Sequence, residues 1–216
     1  MKFTLTKLLN LKLEKMNKEL LKNNYLILPN FIPAEEAKRI AVEFEEEDKI
    51  YMFPDDEQVP GSPSSYNLIG ALEILCNKTF AVSKVIGEYV LPTYCYGRIY
   101  KKGATLKRHM DRPACEISLT LNLDQDTSWP ISVETSEYES VPVDLNPGDA
   151  MMYLGTTALH WRDEFQGERY IQYFLHYVRS RGGCQSEYFD KNKLINNDLR
   201  TTEYRQKLIE EYNALR

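Results

Sequence analysis

The sequence predicts an α+β protein: a double-stranded β-helix (jelly roll) core with N-terminal helices ahead of it and a helical C-terminal tail behind. Three observations predict this. From residue 92 the apolar spacing changes from a helical period to strict alternation. Short β-rich runs then follow one another with turn signals between them, the pattern of a sandwich or barrel. The composition is globular, 43% hydrophobic and 12% aromatic over 216 residues. That length suits one domain with appendages, large enough to bury a core without staples.

The elements follow in chain order. Residues 1–23 mix Leu with Lys and Asn at loosely helical spacing and make an N-terminal helical extension. YLILPNF, from residue 25, is a short strand ended by Pro29. IPAEEAKRIAVEFEEED reads as a helix. Pro33 fits its first turn, Glu35 and Glu36 suit its positive end, and Ala37, Ile40, Ala41 and Phe44 form the apolar stripe. Residues 51–66, YMFPDDEQVPGSPSSY, make a long loop of the kind that often serves as a lid. Residues 67–88 are mostly helical, with Leu68, Leu72, Leu75 and Phe80 at apolar positions. Strands are expected over 94–100, 116–123, 129–134, 141–145, 150–154 and 169–178, with NPGD (146–149) and QG (166–167) as turns. Residues 24–182 thus form the core domain and 183–216 the helical tail.

Composition also excludes. A net charge of −5 weighs against a nucleic-acid partner. The four cysteines are spread without any CxxC, so no zinc-ribbon spacing exists and small buried hydrophobes are expected. No apolar run approaches the length of a membrane helix, and the charged start lacks a signal-peptide pattern, so a cytoplasmic setting is the expectation. Oligomeric state has no signal here.

Chemistry enters with the histidines, of which there are three. His109 stands two positions before Asp111, so on a strand or at its end the two side chains leave one face. His160 follows Asp111 by 49 residues, just after the run AMMYL. In a jelly roll chain-distant strands are neighbours, so all three can meet. Two imidazoles and a carboxylate form a facial triad that holds Fe(II) and leaves positions open. Zn(II) accepts the same ligands, so the triad alone does not name the metal. Arg169, nine residues beyond His160, opens the next strand. A guanidinium near such a site can clamp a carboxylate with two hydrogen bonds, and 2-oxoglutarate is a ligand that chelates iron at one end and offers a carboxylate at the other.

YKKGATLKRHMD resembles the Y-x-x-G-x-x-L-x-x-H-x-D segment of the 2-oxoglutarate- and Fe(II)-dependent oxygenases. PGDAMMYLGTTALHWRDEFQGERYIQYFLHY is similar to their second half, and NNYLILPNFIPAEEAKRI to their usual first strand and helix. The resemblance spans about residues 24–180, and the prolyl-4-hydroxylase-like branch is nearest. It implies His109, Asp111 and His160 as iron ligands, Arg169 as partner of the distal 2-oxoglutarate carboxylate, and Tyr100 as a hydrogen-bonding neighbour of that cosubstrate. The branch often carries Lys where Arg169 stands; either cation can serve. Ser118, Thr120 and Asn122 alternate with Ile117, Leu119 and Leu121, and Thr120 is the residue chosen from that polar face as a further cosubstrate contact. Trp161 and Arg162 could line the substrate mouth. His176 reads as a satisfied or surface histidine, since the triad is complete without it.

The resemblance implies a dioxygenase that uses 2-oxoglutarate and dioxygen to hydroxylate a prolyl or other peptidyl residue. A free amino acid or another small metabolite is the alternative substrate. A jelly-roll binding protein without chemistry is the alternative of another class.

Overall fold

In the computed structural model, which describes residues 15–188 and 190, alternation along the strands sorts side chains between a helical layer and a barrel interior. α1 (Lys18–Asn23) is capped by Asn17, whose side chain accepts from the Glu19 and Leu20 amides. β1 (Tyr25–Leu28) follows, then α2 (Ala34–Tyr51), β2 (Ser64–Tyr66) and α3 (Ile69–Ile86). β3 (Val90–Tyr100), β4 (Leu106–His109), β5 (Ile117–Gln125), β6 (Ile131–Glu134), β7 (Ser140–Val143), β8 (Ala150–Tyr153), β9 (His160–Arg162) and β10 (Tyr170–Arg179) complete the core. The strands form an antiparallel six-stranded sheet, β1-β8-β5-β10-β3-β2, and a four-stranded one, β4-β9-β6-β7.

One face of the large sheet carries the helices. Ile117, Leu119, Leu121 and Leu123 of β5, Ile171, Tyr173, Leu175 and Tyr177 of β10, and Cys95 and Ile99 of β3 share one core with Ala37, Ile40, Ala41 and Phe44 of α2 and with α3. Each large apolar side chain buried there contributes about 1.5–3 kcal/mol relative to exposure. The other face, Tyr94, Tyr96, Arg98 and Tyr100 of β3 with Gln172, Phe174 and His176 of β10 and Ser118, Thr120 and Asn122 of β5, is turned away from that helix-packed core by strand alternation. The polar face of β5 is therefore wholly buried, not solvated.

Most expected strands are present. The short β4 and β9 were not anticipated, because three or four residues carry too little alternation to register. Pro33 sits at the N-cap of α2, one step ahead of the expected first turn. The NPGD turn needs its glycine: Gly148 has φ of 93°, and an added Cβ would lie 2.6 Å from the Ile32 carbonyl oxygen. The 51–66 segment is no plain loop, since its last three residues add β2 to the sheet edge. Most of the expected helical tail, and of the N-terminal extension before Lys15, lies outside the described residues. Among the described residues no helix is long and apolar enough to cross a membrane.

Candidate metal centre and its cavity

Antiparallel pairing of β4 with β9 closes the gap between the histidines. His109 and His160 are cross-strand partners, their ring centroids 4.3 Å apart. Asp111 follows β4 directly and is held by its own amide, which donates to the Gly155 carbonyl at 2.8 Å. Its Oδ1 lies 3.6 Å from Nε2 of both histidines. That is too long for hydrogen bonds and close to the ~3–3.5 Å edge of two ligand atoms bound about 2.1 Å from one ion.

The ring orientations are fixed from behind. His109 Nδ1 lies 2.7 Å from the Lys107 carbonyl and His160 Nδ1 2.9 Å from that of Ala158. Carbonyls only accept, so each Nδ1 carries the proton and each Nε2 lone pair faces Asp111. Burial holds the His160 pKa below the ordinary histidine value, which keeps a ligand lone pair available. The facing Asp111 raises that of the more exposed His109. Burial pushes the Asp111 carboxyl up, but His109, His160, His176 and Ser118 outweigh it and hold the group below the usual carboxylate range.

The Ser118 hydroxyl donates to Asp111 Oδ2 at 2.9 Å and lies 3.0 Å from His176 Nδ1, which requires the Nδ1–H tautomer of His176. His176 is thus buried and satisfied, its pKa lowered by burial to about 4. Asp111, Cys115 and His176 also offer ligand atoms close together, but burial raises the Cys115 thiol to about 12, far from thiolate. Gly155, which the sequence reading passed over, packs against this group: a Cβ there would stand 2.1 Å from the Cys115 carbonyl oxygen and 2.7 Å from Asp111 Oδ2.

The side chains of His109, Asp111 and His160 line a cavity of about 110 Å³ together with Tyr94, Tyr96, Arg98, Tyr100, Phe174 and His176, and with Asp56 and Gln58 from the loop before β2. Tyr100 is in this wall. Thr120 is fully buried, and its hydroxyl has no partner among the described residues. Arg169 is not brought to the cavity. It precedes β10 with the parity of Ile171 and Tyr173, so it leaves the helix-facing side and pairs with Glu45 of α2 at 2.7 Å and with Asp124. Arg162 is the cation that strand parity places beside His160, two positions along β9 and across from the cavity residue Leu106. It is 2% exposed, lies between the rings of Trp129 and Tyr170 at 4.6 Å each, and donates to the Trp129 carbonyl, the Tyr170 hydroxyl and Gln172 Oε1. It has no carboxylate partner among the described residues, and its Nε is unpaired. The period-two rule that joined His109 to Asp111 also joins His160 to Arg162, and would have found it.

No family model matches the chain, and no curated protein does. Solved structures do. A Pseudomonas putida prolyl-4-hydroxylase aligns over 76% of this chain and 96% of its own, at 16% identity and a TM-score of 0.63. A Trichoplax adhaerens prolyl hydroxylase, in complex with a hypoxia inducible factor peptide fragment, aligns over 88% and 93% at 13% identity and 0.62. HygX from Streptomyces hygroscopicus, with nickel and 2-oxoglutarate bound, aligns over 83% and 89% at 12% identity and 0.59. With two antiparallel sheets closing on a His-Asp-His cluster, the chain has the fold of the 2-oxoglutarate- and Fe(II)-dependent oxygenases, prolyl-4-hydroxylases among them.

Proposed function

We propose that this chain is an Fe(II)- and 2-oxoglutarate-dependent dioxygenase that hydroxylates a C–H bond of its substrate. The observation that carries the reading is the convergence of His109, Asp111 and His160 in the wall of one cavity, with both Nε2 atoms 3.6 Å from one carboxylate oxygen. Two neutral imidazoles and one carboxylate suit a divalent iron and leave other positions open. Two groups next to its lining suit a dicarboxylate: the Arg162 guanidinium, across from Leu106 and without a carboxylate partner among the described residues, and the Thr120 hydroxyl, across from Phe174 and without a partner among them. When bound, Fe(II) and 2-oxoglutarate supply a two-electron oxidation by dioxygen, one oxygen atom entering the substrate and the other the succinate that forms with loss of CO₂.

The protein's own part is binding and orientation. His109, Asp111 and His160 hold the metal, and Ser118 and Gly155 hold Asp111. Arg162, not Arg169, anchors the distal carboxylate of the cosubstrate. Two residues along β9 span about 7 Å, the reach of a five-carbon diacid held by its keto-acid end at the metal. Tyr100 and Thr120 flank it. No catalytic residue beyond the ligands is assigned.

A prolyl or other peptidyl substrate has the support of the likeness to two prolyl hydroxylases. A small-molecule substrate has the support of one observation in this chain, the buried Arg98 of the cavity wall. The test of the reading is succinate release from 2-oxoglutarate by the Fe(II)-loaded protein, compared over proline-containing peptides and free amino acids. Turnover in wild type and none in His160→Ala is expected. No turnover in wild type with any of them favours a binding protein without chemistry.

A further inference from the structure

We infer that the primary substrate is a small molecule bearing a carboxylate, and that this carboxylate replaces Asp56 on Arg98. The inference rests on reading the cavity as an oxygenase active site.

Arg98 stands mid-β3 on the inner face, 1% exposed, in the wall of the cavity that holds the three ligands. A guanidinium stays charged at any working pH, so its burial there demands an anion. Its carboxylate partner among the described residues is Asp56, reached through Nη2, which also meets the Tyr96 hydroxyl. Nη1 is buried without a partner among the described residues. One prong of the fork is used and the other points at nothing, although a carboxylate takes both.

The two members of the pair differ in freedom. The Asp56 side chain is 42% exposed, on the loop over the cavity, whereas Arg98 cannot leave the sheet. Asp56 Oδ2, which also accepts from the Tyr96 hydroxyl at 3.1 Å, can exchange both partners for water, while Oδ1 keeps the Gln58 and Val59 amides at 3.1 Å each. An entering carboxylate then conserves the charge count. A neutral molecule that displaced Asp56 would leave a buried cation unpaired, so the site selects against it. The walls beside Arg98 are Tyr66, Tyr94, Tyr96 and Phe174, which suit an apolar body behind the acid. A cavity of about 110 Å³ under this loop accepts a small molecule once the loop gives way, which is what parting Asp56 from Arg98 allows.

The same chemistry could come from a peptide C-terminus, so the test carries both sources. Calorimetric titrations use 3-phenylpropionate and its primary amide, and N-acetyl-Ala-Phe and its amide, on protein loaded with Mn(II) and 2-oxoglutarate without oxygen. We expect 3-phenylpropionate to bind, and its amide to bind about tenfold more weakly or worse, the worth of a charge-assisted hydrogen bond. Asp56→Asn should tighten the acid and leave the amide alone. Arg98→Gln should erase the preference while 2-oxoglutarate binds as in wild type, and Arg98→Lys should keep part of it. Equal binding of acid and amide, no binding of the acid, or no gain in Asp56→Asn overturns the inference. A preference confined to the peptide acid overturns the small-molecule part. Loss of 2-oxoglutarate affinity in Arg98→Gln overturns it too, by assigning Arg98 to the cosubstrate. If wild type binds neither Mn(II) nor 2-oxoglutarate, the oxygenase reading fails, and the same acid and amide titrations on metal-free protein still decide the carboxylate site.

Discussion

Replacing Arg162 by Met separates a ligand anchor from a structural arginine, because the two make opposite demands on stability. Without ligand, Arg162 is a buried ion whose partners are all neutral: one carbonyl, one hydroxyl at 3.3 Å, one amide oxygen at 3.0 Å and two rings. Burying an ion costs several kcal/mol unless an opposite charge offsets it. Methionine fills much of the same space without that cost, so the ligand-free variant should melt within a few degrees of wild type, or higher. Cosubstrate affinity should collapse. Removing one partner of a buried charge pair costs about 2–5 kcal/mol, which is about 30- to several-thousand-fold in Kd. The assay is calorimetric titration of 2-oxoglutarate into Mn(II)-loaded protein without oxygen, with thermal melts beside it. At 1,000 times the wild-type Kd, 2-oxoglutarate should stabilise wild type by about 4 kcal/mol and Arg162→Met by about 2 kcal/mol or less. An Arg162→Met protein that binds 2-oxoglutarate like wild type and melts lower with or without it would refute the anchor.

Other substitutions probe the frame around it. Arg169→Ala breaks half-exposed pairs to Glu45 and Asp124, worth at most about 1 kcal/mol each; a melt should drop by a few degrees while the 2-oxoglutarate Kd stays put. Gly155→Ala drives a methyl into the Cys115 carbonyl and Asp111, so Mn(II) affinity should fall about 10- to 100-fold, read by metal titration. His176 is neutral in the fold, its pKa lowered from 6.5 to about 4 by burial, while the unfolded chain takes the proton below 6.5. Stability is therefore full above pH 6.5 and lost as pH falls towards 4, by about 3 kcal/mol at 1.36 kcal/mol per pH unit. Denaturant melts of metal-free wild type should show this slope, and those of His176→Phe should lack its share.

The residue types of the candidate metal centre were legible because HxD and a later histidine are rare chemistry in a chain with three histidines. The distance of 49 residues became contact through β4 and β9, strands too short to read from alternation. Arg169 stands at the expected place in the order, but its parity puts it on the helix-facing side, with Glu45 and Asp124. Residues 170, 172, 174 and 176 form the inner face of β10, so 169 falls outside. Arg98 was readable as the one charge in the inward series Tyr94, Tyr96, Arg98, Tyr100, but in a Tyr-rich strand that face is not marked by polarity. Gly155 was not readable at all, because its role is the absence of a side chain beside Asp111.

The central claim is that His109, Asp111 and His160 together hold one Fe(II) on which 2-oxoglutarate chelates. It is tested most directly by adding Fe(II), then 2-oxoglutarate, to the protein without oxygen and following the visible absorption band of the chelate. The band should saturate at one Fe(II) per chain in wild type and be absent in His160→Ala. A band of full intensity in His160→Ala, or none in wild type, would contradict it.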